Sequence, residues 1–212
     1  MKNDIRKKLI LTIALFGAFA LWTLSVCVVD VQPIGPHGST VGFASANRLF
    51  HNLTGVHMSL YVITDWLGLV PVAFSFGFAV LGLVQWIQRK CVWRVDRSIL
   101  VLGGFYILVL VAYILFEEHV VNYRPVLIEG YLEASYPSST TLLVMCVMPT
   151  TMMQLHARMK ECPLQKFVLV LIILFMAFMV VGRLLSGVHW LSDIIGGALL
   201  SAGLVTLYSL FA

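Results

Sequence analysis

Residues 166–211 read KFVLVLIILFMAFMVVGRLLSGVHWLSDIIGGALLSAGLVTLYSLF: two apolar runs, 166–185 and 190–211, separated by the polar stretch GRLLSGVHWLSD at 182–193. A run of about 20 apolar residues is long enough to cross the hydrocarbon core of a bilayer. Arg183, His189 and Asp193 are the only charged or imidazole side chains after Lys166, and all three fall at the break between the runs. The same pattern continues toward the N-terminus, with further apolar runs at roughly 9–29, 60–86, 98–116 and 138–156. Glycines, Pro71 and Pro149 inside them are tolerated in transmembrane helices. The expectation is an all-α polytopic membrane protein, with six transmembrane helices in one bundle and residues 1–212 forming a single domain.

Composition agrees. Of the 212 residues, 60% are hydrophobic and 11% charged, against about 45–50% and 25% in soluble domains. No linker or internal repeat divides the chain, and no nucleic-acid motif accompanies its net charge of +4. The basic N-terminus followed by an apolar run resembles a signal peptide. That run extends from Leu9 to Val29 with no small-residue cleavage site before a polar segment, so a retained first helix is expected. Cys27, Cys91, Cys146 and Cys162 form no CxxC or Cys/His pair and read as free thiols.

Eleven of the fourteen Lys and Arg residues lie before the first run, between the second and third, or between the fourth and fifth. The other three are Arg48, Arg124 and Arg183. The positive-inside rule then puts both termini in the cytoplasm and the remaining loops outside. The first outer segment, 30–59, is expected to hold a short interfacial helix near 42–53. Its NLT at 52–54 is a three-residue match to a glycosylation sequon, of a kind common by chance.

Three outer segments carry the remaining polar density: 116–130 (FEEHVVNYRPVLIEG), 135–143 (SYPSSTTLL) and 182–193. His189 and Asp193 are four residues apart and share a face if a helix begins near Trp190, so the carboxylate can take a hydrogen bond from the imidazole and orient it. Arg183 stands off that face on a continuous helix, and Ser186-Gly187 is the break that lets it turn back. Arg124 precedes Pro125, which disfavours helix there. Two guanidiniums, with Ser138 and Ser139 at a helix start after Pro137, suit a phosphate. Each feature also has a plainer reading: an interfacial histidine, a headgroup-snorkelling Arg124, a Ser/Thr N-cap. A metal held by His189, Asp193 and His119 is a further alternative, though no zinc-ligand spacing supports it. His37, His51, His57 and His156 read as loop or interfacial residues, and the methionines of 145–159 and 176–179 as core packing.

Arg183, five residues, His189, three residues, Asp193 resembles the third signature of the type 2 phosphatidic acid phosphatase superfamily, integral membrane lipid phosphatases related to vanadium haloperoxidases. NYRP at 122–125 resembles the end of the first signature and YPSS at 136–139 the start of the second, so the resemblance covers about 60–212. It implies that His189 attacks phosphorus to give a phosphohistidine, that Asp193 orients it, and that Arg124, Arg183, Ser138 and the backbone of Ser139 hold the phosphoryl oxygens. It implies no metal and no cofactor.

Two positions depart from the family pattern. The lysine that begins the first signature is replaced by Glu117, and the histidine that acts as general acid in the second by Thr140. A threonine hydroxyl cannot replace an acid whose pKa must lie near the working pH. Glu118 or His119 is a possible substitute. Expelling a lipid alkoxide, whose conjugate acid is about as weak as water at ~16, needs a proton donor; expelling a phosphate monoester, with second pKa ~6, does not. The expected substrate is therefore a lipid phosphate, with an isoprenoid diphosphate such as undecaprenyl diphosphate favoured, cleaved at the outer face of a bacterial cytoplasmic membrane. The alternative expectation is a non-catalytic relative that binds or moves phospholipid headgroups or partners another membrane protein.

Overall fold

The structure is a computed structural model that describes residues 2–212, and the described residues form eight α-helices with no extended strand. They are α1 (Lys2–Val28), α2 (Ala44–Thr54), α3 (Met58–Leu67), α4 (Leu69–Arg89), α5 (Arg97–Glu118), α6 (Ser139–Arg158), α7 (Pro163–Leu185) and α8 (Leu191–Tyr208). A helix does form where one is expected near 42–53, as α2. The expected second span is broken at Gly68 into α3 and α4.

Five helical stretches are long and apolar enough to cross a membrane: Asn3–Val28, Met58–Arg89, Arg97–Glu118, Pro163–Leu185 and Leu191–Tyr208. The sixth expected span, 138–156, forms α6 but falls outside that set. Thr140, Thr141, Thr150, Thr151 and Gln154 interrupt its apolar surface, and all five are buried. The reason lies in its position. α6 packs against α4, α5, α7 and α8 and so has little lipid-facing surface to coat. Its threonine hydroxyls are partly satisfied inside the protein, Thr150 donating to the Cys146 carbonyl at 2.9 Å, which removes most of the cost of burying them.

Two apolar clusters hold α6 in place. Leu142 and Cys146 meet Leu102, Phe105 and Val109 of α5 and Leu200, Leu204 and Tyr208 of α8. On the other side Val144, Val147 and Met148 meet Ile172 and Met179 of α7. The methionines here are core residues, as their pattern suggests. α1 closes the bundle antiparallel to α8. Lys8 Nζ donates to the Ser209 carbonyl (3.2 Å) at one end, and Trp22 Nε1 donates to the Ser192 carbonyl (3.1 Å) at the other. All four cysteines are free.

At the Glu118 end of α5, the helix ends and the loops between them converge. The opposite end is tied by Asp96, which accepts from Gln85 (2.8 Å), Arg89 (2.9 Å) and Arg158 (3.2 Å) and so joins α4, α5 and α6. Gly196 in α8 sits where a Cβ would lie 2.5 Å from the Tyr136 ring, and Tyr136 is itself pinned by a 2.7 Å hydrogen bond to Thr23 of α1. Overpacking of this kind costs about 1–3 kcal/mol. Gly196→Ala should therefore lower the unfolding midpoint of the detergent-solubilised protein by several degrees. Gly77→Ala, whose methyl would meet nothing within 4 Å, should leave it unchanged; equal midpoints for the two variants would show that the Tyr136 ring can yield.

Candidate active site

His189 lies on the turn between α7 and α8. Ser186 ends α7, its N–H donating to the Gly182 carbonyl (2.8 Å) and its hydroxyl to the Arg183 carbonyl (2.7 Å). Gly187 then turns the chain at φ +71, where a Cβ would lie 2.1 Å from the Gly55 carbonyl oxygen. Only glycine meets both conditions. Trp190 precedes α8, and Asp193 stands at its third position, accepting the Trp190 N–H at 2.9 Å. A carboxylate there satisfies a free N–H and sits at the positive end of the helix.

Asp193 is fully buried and is bonded from several directions. Besides Trp190, it accepts from Asn122 Nδ2 (3.1 Å), from the Ser192 hydroxyl (3.4 Å) and, in a short hydrogen bond, from the Ser135 hydroxyl. The direct imidazole–carboxylate hydrogen bond expected from the four-residue spacing is not what the structure holds. His189 Nδ1 lies 3.9 Å from Asp193 Oδ2, beyond hydrogen-bond length. Ser135 Oγ stands between them, 3.1 Å from Nδ1. The carboxylate is already engaged as a helix cap, and loop residue Ser135 fills the remaining gap.

His189 is 3% exposed, and its Nε2 has no hydrogen-bond partner. Burial, reinforced by the positive charges of Arg124 and Arg183, pushes its pKa down to about 4 against the opposing pull of Asp193. The imidazole is thus neutral at pH 7, with one ring nitrogen uncommitted.

Arg124 lies in the loop after α5, as its following proline suggests. Its N–H donates to the Glu133 carbonyl (3.1 Å), and its Nε lies 3.1 Å from Glu133 Oε2. The latter is a charge contact without hydrogen-bond alignment, since neither Nε nor Nη1 of this buried side chain has a hydrogen-bond partner. Arg183, 2% exposed, donates to Thr64 Oγ1 (3.4 Å) and to Asp65 Oδ1 (3.2 Å) of α3. Both guanidiniums lie near the Tyr61 ring, 5.8 Å from its centroid for Arg124 and 4.7 Å for Arg183. Two cations on one ring repel each other, and the Glu133 and Asp65 carboxylates offset that repulsion.

A polar cavity of about 320 Å³ is lined by His189, Arg124, Ser139, Ser135, Glu117 and Glu133, with Tyr113 and Tyr136 among its aromatic walls. Arg183 stands outside that lining, as does Tyr61. Ser138 is the N-cap of α6; its hydroxyl accepts from Thr141, and its N–H donates to the Asp193 carbonyl at 3.1 Å. Ser139, the first residue of α6, lines the cavity, and unbonded N–H groups of a first helical turn favour an anion. Thr140 instead lines an adjoining apolar cavity of about 570 Å³, which shares Tyr113, Ser139 and Leu142 with the polar one. Glu118 and His119 are exposed and outside the polar cavity's lining; His119 Nδ1 lies 3.0 Å from the Leu115 carbonyl oxygen.

Ser135, Asn122, Glu133, Tyr61 and Asp65 are absent from the sequence-based candidates. For Asp65 a signal was present, since a carboxylate inside an apolar run is a functional candidate in its own right. Ser135, Asn122 and Glu133 depend on loop folding that no periodicity encodes, and Tyr61 is one aromatic among several in an apolar run.

A search of curated protein sequences finds no match. Among solved structures, the chain is similar to the first transmembrane PAP2 type phosphatidylglycerolphosphate phosphatase from Bacillus subtilis. The TM-score is 0.54 at 20% identity, with 94% of each chain covered. That likeness extends the common fold over α1 and α2 as well as the helices that carry the site. The sequence model of the PAP2 superfamily matches residues 72–212, which include α5 to α8 and with them Arg124, Ser138, Arg183, His189 and Asp193; the chain belongs to the PAP2 superfamily.

Proposed function

We propose that this protein is a membrane lipid phosphatase in which His189 Nε2 attacks phosphorus. The P–O bond to the leaving group breaks, a phosphohistidine forms, and water then attacks its phosphorus to release phosphate and restore the imidazole. The observation that carries this reading is the neutral, buried His189 with an unpartnered Nε2, lining one polar cavity with Arg124 and the start of α6. The adjoining apolar cavity supports a lipid substrate, because a polar headgroup and a hydrocarbon chain can occupy the two together. Membership of the PAP2 superfamily supports the reaction class.

An isoprenoid diphosphate is the preferred substrate in this reading. Thr140 supplies no acid, and a leaving lipid monophosphate, with pKa ~6, departs without one. The distribution of Lys and Arg supports an outer-face site with both termini cytoplasmic, and the membrane in this reading is a bacterial cytoplasmic one. One observation favours a second reading, a non-catalytic protein that binds lipid headgroups: Arg124 and Arg183 are each already neutralised, by Glu133 and Asp65.

Phosphate release in liposomes from undecaprenyl diphosphate, undecaprenyl phosphate and phosphatidate separates these readings. The diphosphate should turn over fastest, and His189→Ala should reduce its turnover by at least about 1,000-fold. Equal rates on all three substrates would overturn the leaving-group argument, and no release from any would favour the headgroup binder. Glu133→Gln removes a competitor for Arg124. It should lower KM for the diphosphate about five-fold, the equivalent of roughly 1 kcal/mol for a part-exposed ion pair.

The pH dependence follows from His189. Its folded-state pKa is depressed to about 4 from an ordinary 6.5, so the nucleophile stays neutral through pH 5. The acid limb of kcat/KM should fall near pH 4, whereas a limb near 6.5 would show a solvated imidazole. The unfolded chain takes up this proton first, so the group lowers folded-state stability as pH drops from about 6.5 to 4 and adds no further loss below that.

A further inference from the structure

We propose that Ser135 is a positioning residue that fixes the tautomer of His189 and links it to Asp193, a role resting on the phosphatase reading only for its kinetic consequence. The hydrogen inventory leads to this assignment. Ser135 Oγ is within hydrogen-bond reach of two acceptor-capable atoms, Asp193 Oδ2 and His189 Nδ1. A serine hydroxyl has one proton to give and lone pairs with which to accept. Both Asp193 oxygens already accept N–H groups, Oδ2 from Trp190 and Oδ1 from Asn122, so the carboxylate stands here as an acceptor and the Ser135 proton goes to Oδ2. Ser135 Oγ must then accept from His189, which places the neutral imidazole's single proton on Nδ1. Nε2 is left as a bare lone pair, as a nucleophile requires, and it is the ring atom with no partner.

Asp193 cannot do this alone. At 3.9 Å its Oδ2 is out of reach of Nδ1, and Trp190, Asn122 and Ser192 already hold the carboxylate from other sides. Moving it toward the imidazole would break the cap of α8. Ser135 is itself held, its N–H donating to the Asn122 carbonyl at 2.9 Å, and is 2% exposed. When Nε2 bonds to phosphorus the ring becomes cationic, with its remaining proton on Nδ1. The Ser135 hydroxyl then passes the stabilising pull of Asp193 to that proton without any proton changing atoms.

The test combines a spectroscopic and a kinetic readout. In ¹⁵N-histidine-labelled protein at pH 7, with His189→Ala used to assign the resonances, His189 should show a protonated Nδ1 and an unprotonated Nε2. Ser135→Ala should erase that preference and lower kcat on undecaprenyl diphosphate about 10- to 100-fold with KM unchanged, the scale on which supporting hydrogen bonds act. Ser135→Thr keeps a hydroxyl and should restore both the tautomer and most of the rate. A protonated Nε2 in the unsubstituted protein would overturn the proposal, as would Ser135→Ala with full kcat and the Nδ1–H tautomer intact. If Ser135→Ala fails to fold, the tautomer of the unsubstituted protein and the Ser135→Thr rate still decide. The expected tautomer in a protein that releases no phosphate would remove the phosphatase reading and leave the positioning intact.

Discussion

The buried carboxylate of Asp193 is the constraint on which the rest of the site depends. An ionised carboxylate withdrawn from water costs several kcal/mol unless its oxygens are filled by donors. Here the donors come from two parts of the chain: Trp190 and Ser192 at the start of α8, and Asn122 and Ser135 from the loop between α5 and α6. Ser192 is gripped in turn by Asn47 of α2, which donates to its hydroxyl at 2.9 Å and accepts its N–H at 3.1 Å. The backbone carbonyl of Asp193 accepts from Ser138 and so fixes the start of α6. One buried carboxyl group, by requiring donors from the protein, thereby draws loops that are distant in sequence into a single arrangement.

That requirement separates two classes of polar residue at the Glu118 end of α5. Asp193, Asn122, Asn47, Ser192, Ser135 and Ser138 are buried and bonded to one another, and they make a scaffold. Arg124, Glu117, Glu133 and Ser139 border open volume. His189 belongs to both groups, one ring nitrogen turned to the scaffold and the other left free. The arginines are held less completely than the scaffold. Each meets one carboxylate, and buried nitrogens of both remain without hydrogen-bond partners. A phosphoryl group has more oxygens in a compact geometry than either carboxylate can offer, so it can satisfy donors that Glu133 and Asp65 leave unmet.

The helices were legible in the sequence because lipid imposes a simple rule, twenty or so apolar residues per crossing. α6 escapes that rule by being surrounded by protein, which is why its threonines and Gln154 lower its apolarity without harming the bundle. The grouping of segments 116–130, 135–143 and 182–193 was legible too, since polar residues between spans have few other places to go. Their finer pairing was not. A spacing of four residues places His189 and Asp193 on one side of a helix start, but it says nothing of a third residue between them. Ser135 reaches that point only because its loop folds back along Asn122. Likewise, the alternation of carboxylates and guanidiniums around Tyr61 joins α3, α7 and the loop before α6, three segments with no shared pattern.

The two departures from the family pattern take on a physical meaning when the cavities are considered together. Thr140 borders the apolar volume rather than the polar one, so the loss of an ionisable group there lengthens a hydrocarbon-compatible surface up to the edge of Ser139. Glu117 borders the polar volume, where with Glu133 it sets two carboxylates opposite Arg124. The combined effect lowers the positive potential of the polar cavity while leaving the unpartnered Nε2 of His189 in place. For the lipid substrate proposed above, binding energy from the headgroup would be reduced, and a larger share would come from the hydrocarbon chain, at about 0.8 kcal/mol per buried CH₂. A long-chain lipid supplies that share where a short one cannot. Within the proposed function, Glu117 and Thr140 thus act in the same direction as the leaving-group chemistry: both suit a substrate recognised more by its tail than by its charge, whose departing group would need no proton from the protein.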